Sequence, residues 1–227
     1  MILAIDTSGP VVGICLAGLG VEPQSWSARA GRGADAVLVP AIADLLSGAP
    51  APLTGVALTT GPGAFTGLRV GLAIGTGIAL ARNVLVLPMG SLAARALLAL
   101  DAPEVLAVLD ARKGRVYARR FRSTPRGPEP LGDAEDVDLH DVLALVGPGC
   151  VAVGEGASVY AEALAAAGVA VVAGADASPA QVLALYALTG ALQPCDPGAV
   201  RLAYVRPPDA KVPKGMSLVG PPPGPSR

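Results

Sequence analysis

The chain has 227 residues, with 17 Lys plus Arg against 18 Asp plus Glu and 52% hydrophobic residues. This composition predicts one or two tightly folded units and excludes general disorder, and the near-zero net charge excludes a global field that would draw nucleic acid or an anionic membrane. Cys15, Cys150 and Cys195 are odd in number and far apart, which fits a reducing compartment and offers no zinc spacing.

Met1 to Ile5 is an apolar run ending at Asp6-Thr7-Ser8-Gly9, and the runs 11–17 and 21–29 follow it across Gly/Pro turns. Three such runs predict a β-meander. Helical spacing of Leu38, Ile42, Leu45 and Leu46 predicts a helix over 35–46, with a kink at Pro40. A strand over 55–60 leads into Gly61-Pro62-Gly63 and a helix over 66–82, then a strand over 84–87 and a helix over 91–100 capped by Ser91. The first fifteen residues carry no Lys or Arg, and the apolar stretch 70–81 lies between Arg69 and Arg82. It falls short of the ~20 residues that span a bilayer, so the expectation is a cytosolic chain with no membrane contact.

The pattern then restarts. Leu106 to Arg112 echoes Leu3 to Ser8, with an Asp closing an apolar strand before a second strand over 115–122. Val151 to Gly156 echoes Val56 to Gly61 in the same order. The echoes read either as a duplicated unit or as a chance likeness of apolar strands. A strand over 169–173 follows, and then a helix opened by Ser178-Pro179 and closed by Gly190. Beyond Arg206 the Pro/Gly-rich composition predicts a disordered tail, 207–227.

Two turns could carry chemistry. Asp6-Thr7-Ser8 at a strand end could hold a hydrated metal and phosphate oxygens, and Gly61 to Gly63 could offer amides to an anion. Taken alone, the first reads better as a plain hairpin turn and the second as a tight helix entry, since neither matches the Walker or dinucleotide patterns. In the helix over 66–82, Gly67, Gly71, Gly75 and Ala79 form one stripe, and Gly71, Gly75 and Gly77 together cost the helix ~3 kcal/mol that close packing must offset. That predicts a seam, covered by another protein or by this chain's own helices. His140 is the only histidine and stands beside Asp138 and Asp141, where it reads as a surface residue; one imidazole cannot make a two-histidine metal site.

The run GPGAFTGLR over 61–69, with the opening ILAIDTS, closely resembles the signature of the TsaB (YeaZ) family. Leu38 to Leu46 with Pro40 resembles its first helix, Asp110-Ala111-Arg112 with Val116-Tyr117 its second-domain entry, and Tyr204-Val205-Arg206 its terminal motif. The chain departs at Gly31 to Asp35, where relatives often have His-Ser, and at Arg115, where they often have Glu. The resemblance implies an α/β fold of two RNase H-like domains of the actin/Hsp70/sugar-kinase (ASKHA) class, here 1–102 and 103–206. It implies a non-catalytic subunit for threonylcarbamoyl transfer to N6 of adenosine 37 in tRNA, working with the histidine-metal paralogue TsaD and with TsaE, and a homodimer when TsaD is absent.

In that frame Asp6, Thr7, Ser8, Gly61, Gly63 and Asp110 form a vestigial nucleotide cleft. No catalytic residue, metal ligand or cofactor is expected, and ATP or ADP binding stays open. The partner interface is expected at Leu38, Ile42, Leu45, Gly67, Gly71, Ile74, Gly75 and Ile78. The basic segment containing Arg115, Arg119, Arg120 and Arg122 either contacts tRNA within the complex or defends an edge strand. No zinc motif or Ser/His pair supports the older peptidase assignment. The alternatives are a small ATP-dependent kinase using Asp6 and Asp110, or a self-associating structural protein. Against the kinase, Asp110-Ala111-Arg112 lacks the glycine that lets backbone approach phosphate.

Overall fold

The computed structural model describes residues 1–29 and 33–205. The departure at Gly31, the motif residue Arg206 and the tail 207–227 therefore lie outside the described residues. The first half runs β1 (Ile2–Asp6), β2 (Val11–Gly18), β3 (Val21–Arg29), α1 (Ala34–Ser47), β4 (Gly55–Thr59), α2 (Phe65–Arg82), β5 (Leu85–Met89) and α3 (Ser91–Ala96). The second runs β6 (Glu104–Arg112), β7 (Arg115–Thr124), β8 (Gly127–Pro130), β9 (Glu135–Val137), α4 (Leu139–Leu143), β10 (Cys150–Val153), α5 (Glu155–Val159), α6 (Ala161–Ala166), β11 (Ala170–Val171) and α7 (Ala180–Leu188).

Each half builds one sheet of the same design. The first has the order β3-β2-β1-β4-β5 and the second β11-β10-β6-β7-β8, with β9 also paired to β7. In both, a hairpin meander is antiparallel and the two following strands are parallel to its first strand. The strands that echo in the sequence, β1 with β6 and β4 with β10, hold equivalent places. That repetition favours duplication over chance.

Two sequence expectations shift locally. The helix expected over 91–100 is α-helical only to Ala96 and tightens to a 3₁₀ turn over Leu97–Ala99. Ser91 does not cap it; Gly90 stands at the cap, and the Ser91 hydroxyl accepts from the Gly61 amide at 2.9 Å. The strand expected over 169–173 pairs only at Ala170–Val171.

Alternation along β1 and β2 sends Leu3, Ile5, Ile14 and Leu16 to one face, under α1 and α2, and Ile2, Ala4, Cys15 and Ala17 to the other. That second face is covered by α7, from the far end of the chain, through Ala180, Leu183, Ala184 and Ala187. Reciprocally, α3 sets Leu92 and Ala96 on Val105, Ala107, Leu109 and Phe121 of the second sheet. The two halves thus exchange helices in the layer between their sheets, while α4, α5 and α6 cover the remaining face. The Tyr186 hydroxyl of α7 donates to the Arg126 carbonyl at 2.6 Å, fixing the exchanged helix to the β7–β8 turn.

Candidate functional site

Of the expected cleft residues, Asp6, Thr7, Ser8 and Gly61 are buried among protein groups, while Gly63 and Asp110 are half-buried. Asp6 ends β1 fully buried. Its Oδ1 accepts from the Ser8 hydroxyl at 2.5 Å, the Thr59 hydroxyl at 2.7 Å and the Ser8 amide at 3.2 Å, and its Oδ2 accepts from the Ser178 hydroxyl at 3.1 Å. Three hydroxyls and an amide satisfy a carboxylate that has no water to turn to.

Arg95 of α3 completes the set. Its Nη1 donates to the Ser8 hydroxyl at 2.8 Å and to the Ser91 carbonyl at 3.2 Å, its Nη2 lies 3.6 Å from Asp6 Oδ2, and its Nε lies 3.4 Å from Glu155 Oε2. The Nε pair has ion-pair distance without hydrogen-bond geometry. Arg95, Glu155, Ser178 and Thr59 were not singled out in the sequence as site residues. The available signal was a lone charge in the apolar helix Ser91 to Leu98 and a Glu between Gly154 and Gly156.

Glu155 titrates above the ordinary carboxylate range because burial penalises its charge; Arg95 pulls the value back, while Asp6 and Asp110 push it up. Since folding raises this pKa, the stability linked to Glu155 is full below its unfolded value and is lost as pH rises through the folded one. Glu155→Gln should therefore gain on the native protein in urea midpoint as pH rises from about 4 to about 7; parallel pH profiles would refute the assignment.

The Gly61 turn is closed as well. Its amide is taken by Ser91, its carbonyl accepts from the Ser91 amide at 2.8 Å, and the Ala203 carbonyl presses on its α-carbon where a Cβ would stand. Gly63 lies against the Ser8 carbonyl, which accepts from the Ala64 amide at 2.8 Å. Asp110 lies partly buried at the end of β6 and accepts from the Arg112 amide at 2.8 Å. Among the described residues no three His, Cys, Asp or Glu side chains gather as metal ligands. His140 is exposed at the start of α4.

The glycine stripe corrects the expected seam. The inward face of α2 is Leu68, Gly71, Gly75 and Ala79, and it lies on the chain's own first sheet. A Cβ at Gly67 would strike the Thr7 carbonyl, one at Gly71 the Thr7 hydroxyl, and one at Gly75 the Leu58 side chain. Gly67, Gly71 and Gly75 therefore face inward, as does Leu38, and Leu45 packs on the same core. Close approach to the Asp6-Thr7-Ser8 turn is what the glycines provide, so the two signature segments are two sides of one contact. Ile42, Ile74 and Ile78, by contrast, line a groove of about 630 Å³ between α1 and α2 together with Val39, Leu46 and Ala73.

Three of the four arginines of β7 find acids. Arg115 pairs with Asp136 at 2.7 Å, Arg120 with Glu104 at 3.7 Å and Arg122 with Glu129 at 3.6 Å, while Arg119 donates to the Gly132 carbonyl at 2.8 Å. β7 has neighbours on both sides, β6 and then β8 and β9, so the edge-strand reading falls. Among the described residues no helix is long and apolar enough to cross a membrane.

A family model described as TsaD, tRNA N6-adenosine threonylcarbamoyltransferase, matches residues 18–126. The tRNA threonylcarbamoyladenosine biosynthesis protein TsaB of Haemophilus influenzae is 34% identical over 122 residues, 51% of either chain. That of Escherichia coli is 31% identical over 132 residues, 56% of this chain and 57% of its own. The chain thus spans about half the length of the curated relatives it matches. A Pseudomonas aeruginosa structure described as similar to peptidase YeaZ superposes over 90% of this chain and 99% of its own, at TM-score 0.75 and 25% identity. P. aeruginosa YeaZ gives TM-score 0.72 at 25% identity, over 89% and 98% of the two chains. The fold is α/β, two RNase H-like domains of the actin/Hsp70/sugar-kinase class. With its two signature segments in mutual contact, the chain resembles the TsaB (YeaZ) proteins in sequence over about half its length and in fold over about nine-tenths of it.

Proposed function

We propose that this chain is a non-catalytic subunit in formation of threonylcarbamoyladenosine at position 37 of tRNA, docking TsaD through the groove between α1 and α2. TsaE and the tRNA join through that complex, in the cytoplasm. The observation that carries the reading is the apolar groove: Val39 is 53% exposed there, and Ile74 and Ile78 are only half-buried. An open apolar channel between two helices is the surface that a helical partner covers. The relatives' printed role in this pathway supplies the reaction. The cleft, whose polar groups are spent on one another, supports a role without turnover. It also counts against the kinase alternative.

The division at 102/103 belongs to this proposal as a division between sheets, since α3 and α7 cross it. A tRNA contact through β7 does not, because Arg115, Arg120 and Arg122 spend their charge on acids. Ala73 is exposed on the groove wall, so Ala73→Arg should leave the melting temperature of the isolated chain unchanged and weaken TsaD binding by about 100-fold, as bulk and charge do at the centre of an interface. Native affinity in that variant, measured by calorimetry, would remove the groove from the assembly. Retained TsaD binding with loss of self-association would assign the groove to a second copy.

A further inference from the structure

The Asp6 turn of the first sheet and the Gly154–Glu155 turn of the second face each other, and one side chain fills the space between them. Arg95 is 2% exposed and reaches both turns at once: Asp6 and Ser8 on one side, Glu155 on the other. The turns are glycine where they meet it. A Cβ on Gly9 would stand 2.8 Å from Nη2, so a larger residue there would press on the guanidinium; one on Gly154 would first strike the Val108 carbonyl and then stand 3.3 Å from Arg95 Cδ.

We propose that Arg95 is a built-in cation of this cleft, clasping the two halves together through Asp6 and Glu155 and shutting out a metal-bound nucleotide. Two buried carboxylates facing one space need a positive charge between them. In a cleft of this design that charge could be a divalent cation carried by a phosphate ligand; here it is covalently part of α3. The consequence is mechanical as well as electrostatic. A cleft held by a ligand opens when the ligand leaves, whereas one held by its own arginine keeps the angle between its two sheets with nothing bound. This inference rests on the fold and the ion-pair geometry and does not depend on the partner proposed above.

The test uses the full chain with Arg95→Met, Glu155→Gln and the double variant, read by thermal midpoint. Arg95→Met keeps the length and removes the charge, and should lower the midpoint by about 10 °C, the expected scale for a buried pair broken on one side in a chain of this size. Adding Glu155→Gln removes one of the stranded carboxylates and should restore about half of that loss. Additive losses from the two substitutions would overturn the clasp, as would a native-like midpoint in Arg95→Met. Should Arg95→Met fail to fold, recovery of folded protein in the double variant supports the clasp by the same logic. Titration of the native chain with magnesium and ADP supplies an independent arm that no folding failure can spoil. An unchanged midpoint supports closure, and a rise that saturates with ADP overturns it.

Discussion

Gly67→Ala should destabilise the protein by about 2 kcal/mol although alanine is the better helix former by ~1 kcal/mol. The new methyl would meet the backbone carbonyl of Thr7, which cannot rotate aside as a side chain can, so α2 must lift from β1. Gly77→Ala is the matched control. Nothing lies within 4 Å of a Cβ there, and the residue is exposed, so the propensity gain should appear as up to ~1 kcal/mol of added stability. Urea midpoints of the pair should move in opposite directions. If both rise, the contact between α2 and the Thr7 turn is looser than described. Gly71→Leu, which places four carbons where the Thr7 hydroxyl already sits, should yield no folded chain at all.

Asp6→Ala should cost about 3–5 kcal/mol, the range for breaking a buried, hydrogen-bonded ion pair from one side. The hydroxyls of Ser8, Thr59 and Ser178 would lose their acceptor, and Arg95 would keep only Glu155 to offset its charge. Asp6→Asn retains one acceptor oxygen and should lose less. A urea midpoint for Asp6→Ala equal to that of the native protein would mean that the carboxylate is not the hub of this cluster. The prediction concerns stability, and any loss of tRNA modification in a cell carrying Asp6→Ala should track the loss of folded subunit.

Periodicity served the fold well. The meander, the two long helices and the echo between β1 and β6 were all legible because each depends on local spacing and on turn residues. The α/β class and its pairing with the TsaB family rested on GPGAFTGLR and ILAIDTS, and the structure gives these a common physical cause in the contact between α2 and Thr7. The direction of the glycine stripe was not legible. A row of small residues announces a close approach without naming what approaches, and the partner was the chain's own turn. Nor could spacing reveal Arg95. Asp6, Arg95, Glu155 and Ser178 are scattered over more than 170 positions and meet only because the halves exchange helices. For β7, no acid stands among Arg115, Arg119, Arg120 and Arg122 on the strand itself, and the partners Glu104 and Glu129 come from the neighbouring strands.

The exchange of α3 and α7 also bears on how the chain is made. Until residues 180–187 leave the ribosome, the face formed by Ile2, Ala4, Cys15 and Ala17 lacks the cover of Ala180, Leu183, Ala184 and Ala187 and has Met89, Ala94 and Leu97 of the same cluster to pack on. The first sheet must wait for most of the described chain before that face is fully covered. Folding of the first half alone therefore leaves part of that apolar face uncovered. Its final collapse depends on a contact between segments far apart in the sequence, β1 and β2 against α7, which is the kind of closure that slows folding and lengthens exposure to chaperones and to aggregation.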